Sequence, residues 1–241
     1  MKKNKANLVE FVDSSQKVHP EFYPVPAQKE IPEWYRATPS YIGNQKYVTL
    51  AEQEKHKTNA TVKKCLPFFD SMTAGYIIKL HVDVIIRWDG KESTYQWASE
   101  NPIGFQGTSQ AQNYPGQENR SYAYPKFNNP WSIRTPKGYS CLITTPMHRD
   151  LPFETLDGIV DTDSFFAPIL FPFYLKEEKW EGIIEAGTPI AQVIPFKRES
   201  WKFNISEDPK KINESFSTRT RIFASFVDGY RKAFWNRKEW K

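Results

Sequence analysis

Between residues 61 and 198 the apolar positions come in short runs separated by turn formers, the pattern of β-structure. In "GYIIKLHVDVIIRWDG" (75–90) apolar residues alternate at Leu80, Val82, Val84 and Ile86, and Asp89-Gly90 supplies a turn into "STYQWAS". That predicts a hairpin. Further strands are predicted over 140–145 ("SCLITT"), 167–175 ("APILFPFYL") and 189–197 ("PIAQVIPFK"). Residues 101–131 show little periodicity and many turn formers, which makes them either a long functional loop or an arm that packs on a neighbour.

The flanks read differently. Residues 1–60 carry Pro20, Pro24, Pro26, Pro32 and Pro39, a density that blocks regular helix and removes ladder donors. The segment is expected to run extended across the body, anchored by Phe22, Tyr23, Trp34 and Tyr35. A short helix is predicted at "TLAEQEKHK" (49–57), with Thr49 as N-cap and Glu52 as its capping-box partner. Near the end, Ile222, Phe223, Phe226, Tyr230 and Phe234 recur at spacings of three and four, predicting an amphipathic helix over about 215–238, softened at Gly229. The expected organisation is one domain: an arm (1–60), a β core (61–206) and a basic C-terminal helix (207–241). No internal repeat is present.

Composition refines this picture. Aromatics are 15% of the 241 residues, so a globular chain with a ring-rich core is expected. No run approaches the roughly 20 apolar residues of a membrane-spanning helix, and the polar start lacks a secretory h-region. A cytoplasmic protein is therefore expected, in a host cytoplasm or a virion if the chain is phage-encoded. Cys65 and Cys141 fit neither a disulfide framework nor a metal site, and two buried free thiols are expected. Residues 209–241 hold nine Lys or Arg against three acids, a net of +6, which leaves −1 for the rest of a chain whose total is +5. Nucleic-acid contact is thus confined to the tail, where Trp235 and Trp240 would stack.

The stretch 135–197 carries an ordered set of signals. Pro136-Lys137-Gly138 precedes a strand; Thr145-Pro146-Met147-His148-Arg149, Gly158-Ile159-Val160-Asp161 and Gly187-Thr188-Pro189-Ile190-Ala191-Gln192 follow, and Ala74-Gly75-Tyr76 lies upstream. In order and rough spacing, over about half the chain, this resembles the trimeric deoxyuridine triphosphatase and deoxycytidine deaminase superfamily. The same stretches also resemble an uncharacterised domain family of bacterial and phage genomes. The first resemblance implies a mainly β, β-clip-like fold of antiparallel strands and hairpins, with the arm and the C-terminal helix appended. It further implies a homo-oligomer, a trimer, with a small ligand such as a nucleotide in an inter-subunit pocket, and Mg²⁺ shared among phosphates.

The resemblance assigns Asp161 as general base, Arg149 as the phosphate-neutralising side chain and His148 as an accessory donor, with Asp163, Tyr76 and Gln192 nearby. Arg149 and Asp161 are expected on one concave rim. Departures are also visible: Ile77 stands where the superfamily has Asp, Met-His-Arg-Asp replaces its Arg-Ser-Gly motif, and no Gly-rich terminal arm is present. These point away from triphosphatase activity, and the residues alone leave open whether any reaction is catalysed. Asp157 and Asp161 have a plainer reading, favoured here, as carboxylates that cap a tight turn. His81 and Asp83 share a strand face, compatible with a metal pair, but no further ligand is spaced to join them, and no metal site is expected. Two functions follow: a ligand-binding β-clip module, or a phage or bacterial assembly protein whose β body is a scaffold and whose arm and tail grip neighbours.

Overall fold

The computed structural model describes residues 7–43, 59–110, 114, 124–223 and 228–241. The chain divides into two compact units, Met1–Glu30 with Ala74–Arg198, and Ile31–Thr73 with Glu199–Lys241. The boundaries differ from those read in the sequence, because the first thirty residues join the β unit and the next forty-odd join the C-terminal tail. The helix read at 49–57 lies outside the described residues.

The described strands of the first unit all pair antiparallel. One sheet runs in the order β11 (Gly158–Val160), β9 (Tyr139–Thr144), β14 (Pro189–Lys197), β3 (Tyr76–Lys79), β2 (Val25–Pro26); a second runs β10 (Phe153–Thr155), β12 (Phe171–Leu175), β7 (Tyr124–Phe127), β6 (Ile103–Gln106). A third is β13 (Gly182–Ile184), β4 (Val84–Trp88), β5 (Ser93–Gln96), and β1 (Glu10–Asp13) pairs with β8 (Trp131–Arg134). Period-two burial sets which side chains meet: β12 buries Phe171, Phe173 and Leu175 and leaves the residues between them half-buried. The expected ring-rich core is present, with Phe127 stacked on Phe173 at 4.0 Å and Phe153 edge-on to Phe127 at 5.1 Å.

Several local expectations are corrected. The 75–90 run breaks between β3 and β4, because Leu80 N–H bonds Thr188 C=O, Gly187 N–H bonds Leu80 C=O, and the Asp83 carboxylate takes the Ala186 N–H at 2.6 Å. The chain thereby passes from one sheet to another. Within 101–131, β6 and β7 pair as strands despite Gly104 and Pro125; a Cβ at position 104 would sit 2.7 Å from Asn128 Oδ1. The extended N-terminal segment also supplies β1 and β2 to sheets. Gly75 (φ 67) is fixed by a close approach, since a Cβ there would lie 2.0 Å from Val193 O.

The second unit contains α1 (Glu33–Ala37), α2 (Leu66–Thr73), α3 (Pro209–Phe223) and α4 (Gly229–Ala233). α2 falls within the stretch 61–198 that reads broadly as β, at a place where no particular strand was expected; Pro67 is tolerated in its first turn. Cys65, just before it, is exposed, whereas Cys141 in β9 is buried, so only one of the two thiols is enclosed as expected. α3 starts earlier than the apolar stripe suggested, because Asp208 caps Lys210 N–H at 2.9 Å and Pro209 occupies the first helical position. Trp34, Tyr35 and Phe68 form an aromatic cluster, and Asp70 accepts from Trp235 Nε1 (2.9 Å) and Lys238 Nζ (2.7 Å). Trp235 is therefore held by a carboxylate inside its own unit. Among the described residues no helix is long and apolar enough to cross a membrane.

Candidate functional site

The residues marked by the sequence separate into two groups. Asp161 and Asp163 follow edge strand β11 and converge on Arg198, a residue the sequence reading passed over. Arg198 Nη1 donates to Asp161 Oδ1 and Asp163 Oδ1, both at 3.0 Å, and to Ser140 Oγ at 2.9 Å, while Nη2 donates to Asp163 Oδ2. Ser140 Oγ donates to Asp161 Oδ1 at 2.7 Å, and Gly138 N–H donates to Asp163 Oδ2 at 2.8 Å. Gly138 (φ 88) turns the chain into β9, so Asp163 ties that turn to the end of β14. The Arg198 guanidinium and the Gly138 N–H hold the Asp163 carboxyl at about 2, below its usual 3.8. Between the two acids, Thr162 Oγ1 bonds Thr135 Oγ1 at 2.7 Å and Cys141 Sγ at 3.3 Å. Asp157 is exposed.

The acid-rich stretch is therefore a clamp made by Asp161 and Asp163, in place of the turn capping by the Asp157 and Asp161 carboxylates that the sequence suggested. The turn itself is closed by main chain, with Ser164 and Phe165 N–H on Asp161 C=O. A Mg²⁺ ion does not fit this pair of carboxylates, since both already face a guanidinium.

Arg149 belongs elsewhere. Its Nη2 donates to the Glu30 carbonyl, and Nε is buried without a partner. His148, beside it, is exposed with φ 60. Gln192 is fully buried; its Oε1 accepts Met147 N–H at 2.9 Å and its Nε2 donates to Ala74 C=O at 2.7 Å. It thus pins the 145–149 turn to the Ala74-Gly75 turn, while Tyr76 starts β3 and packs edge-on against Phe11 at 5.3 Å. The β9–β14 register pairs Ser140 with Phe196 and Thr144 with Gln192. Four residues of strand, about 13 Å, separate the Asp161 clamp from the Gln192 hub next to Arg149. The shared rim expected for Arg149 and Asp161 is not formed.

A third group was only half seen in the sequence. Ser15, Lys17, His81, Glu100, Asn101, Asn128 and Pro130 line a cleft of about 280 Å³. His81 Nε2 lies 3.3 Å from Glu100 Oε2, and the histidine side chain is only 10% exposed. Burial pushes the imidazole below its ordinary 6.5, against the pull of the Glu100 and Asp13 carboxylates. Glu100 (φ 58) and Gln16 (φ 57), between Ser15 and Lys17, are both left-handed without being glycine, a conformation that costs about 1 kcal/mol or more and gathers at functional sites. Asn128 Nδ2 donates to Asn101 C=O at 2.9 Å. Ser15 Oγ donates to Asp13 Oδ1 at 2.7 Å, which makes it part of a capped turn and not an activated nucleophile. Asp83, paired with His81 in the sequence reading, is committed to Ala186, and no metal-holding group of three or more His, Cys, Asp or Glu occurs among the described residues.

The cleft draws on four separated segments with no local motif, so only His81 carried a sequence signal. The chain matches no protein-family model and no curated protein.

Proposed function

We propose that the β unit is a binding module that takes a small, hydroxyl-rich molecule of monosaccharide to nucleoside size in the His81–Glu100 cleft, without deoxyuridine triphosphatase activity. The observation that carries this is the His81–Glu100 pair, with side chains 10% and 30% exposed, facing a cleft with two left-handed rim residues. Two asparagines, a carboxylate, an ammonium and an imidazole offer donors and acceptors together, which suits hydroxyl groups. A triphosphate would meet a single cation there, Lys17. The size, about 280 Å³, lies just below the usual range of ligand pockets, about 300–1,000 Å³. The resemblance to the β-clip superfamily is retained as a statement about scaffold, and the exposed free thiol of Cys65 suits a reducing cytoplasm.

Thermal-shift titration with deoxyuridine, ribose and glucose tests the reading, with dUTP and Mg²⁺ as the contrasting arm. The expected result is stabilisation by at least one neutral probe that is lost in Lys17→Ala and Glu100→Gln and kept in Asp161→Ala. No response to any neutral probe, or a dUTP response abolished by Asp161→Ala, overturns it.

A further inference from the structure

Among the described residues, 201–216 hold an apolar surface that is left open within their own unit. The run 199–208, which is neither helix nor strand, exposes Trp201 (85%), Phe203 (92%) and Ile205 (82%), and their spacing of two puts all three on one side wherever the run is extended. α3 follows with Ile212 and Phe216 exposed one turn apart, and none of residues 209–222 is buried. A helix of this length is marginal alone in water, and ordering the segment without burial is opposed by backbone entropy.

We propose that the cover is the same segment of a second copy, in a two-fold dimer where the extended run of each chain lies antiparallel along α3 of the other. The charge pattern selects this partner. Residues 199–208 hold Glu199, Glu207 and Asp208 against Lys202, a net of −2, whereas 209–223 hold Lys210, Lys211, Arg219 and Arg221 against Glu214, a net of +3. A two-fold axis sets each acidic run on the other chain's basic helix, the self-complementarity that an isologous contact needs. A parallel register would stack like charge on like. The area is sufficient: Trp201, Phe203 and Phe216, with Ile205 and Ile212, present about 500 Å² per copy, hence about 1,000 Å² for the pair, the threshold of a specific interface.

Sedimentation and light scattering on the full chain at tens of micromolar test this, with the mass of two 28.2 kDa chains expected. Trp201→Ser with Phe203→Ser is expected to give a monomer with unchanged far-UV circular dichroism. Lys210→Glu with Lys211→Glu, and separately Glu207→Lys with Asp208→Lys, are each expected to weaken self-association about tenfold or more. Mixed, the two charge variants are expected to form a heterodimer, which a folding defect would not produce. A monomeric wild-type chain, a trimer, or a dimer indifferent to these substitutions overturns the proposal.

Discussion

Replacing Gln192 by Leu removes one side chain and orphans two backbone groups. Gln192 is fully buried, with its amide spanning Met147 N–H and Ala74 C=O. Leucine keeps most of the volume, so cavity formation is a minor term and the loss is polar. A buried donor or acceptor left without a partner costs about 1–3 kcal/mol, which puts the sum for the two at about 2–6 kcal/mol. For a unit of this size about 1 kcal/mol moves the melting temperature by about 2–4 °C, so a drop of at least about 4 °C is expected. The assay is thermal unfolding followed by near-UV circular dichroism, which reports the aromatic core built from Phe127, Phe153 and Phe173. The ligand-site role implied by the family resemblance predicts the reverse, an unchanged melting temperature with impaired binding. A Gln192→Leu protein that melts within about 1 °C of wild type would show that the two turns do not depend on this bridge.

Two further predictions concern pH. Asp163 has a folded value of about 2 against 3.8, so its contribution to stability is present above about pH 4 and disappears as pH falls toward 2; Asp163→Asn should flatten urea midpoints across that window, and parallel curves for the two proteins would refute the clamp. His81 acts in the same direction at higher pH: with a folded value below 6.5 the unfolded chain binds the proton first, so stability should fall as pH drops through 6.5. His81→Gln should remove that part of the decline, and an unchanged pH dependence would show that burial does not govern the imidazole.

The strand content was legible because alternation records burial on one face: β9 and β14 fall within a residue of the runs read at 140–145 and 189–197. Other features were hidden for physical reasons. β6 and β7 contain Gly104 and Pro125, which lower strand propensity, yet pairing with neighbours overrides it. α2 contains Pro67, harmless only because it sits in the first turn. The clamp was half legible, since Asp161 and Asp163 stand out by charge while Arg198 lies 35 residues beyond Asp163 and meets it only through β-sheet register. The cleft was almost illegible: Lys17, Glu100 and Asn128 are each ordinary surface residues until tertiary structure brings them together.

The motifs that carry the resemblance have scaffold duties here. Gly75 allows β3 to approach Val193, Gly138 makes the turn that Asp163 grips, Gly187 bonds Leu80 where the chain leaves β3, and Gln192 joins two turns. Each is constrained by a backbone contact that no other residue at that position supplies without strain or an orphaned group. Residues that would touch phosphate are under no such constraint, because their removal leaves the sheet intact. A β scaffold can therefore require these residues at this order and spacing whatever chemistry surrounds them. The order of motifs is thus a matter of strand connection, and activity has to be argued from side chains that face open space, such as those of the His81–Glu100 cleft.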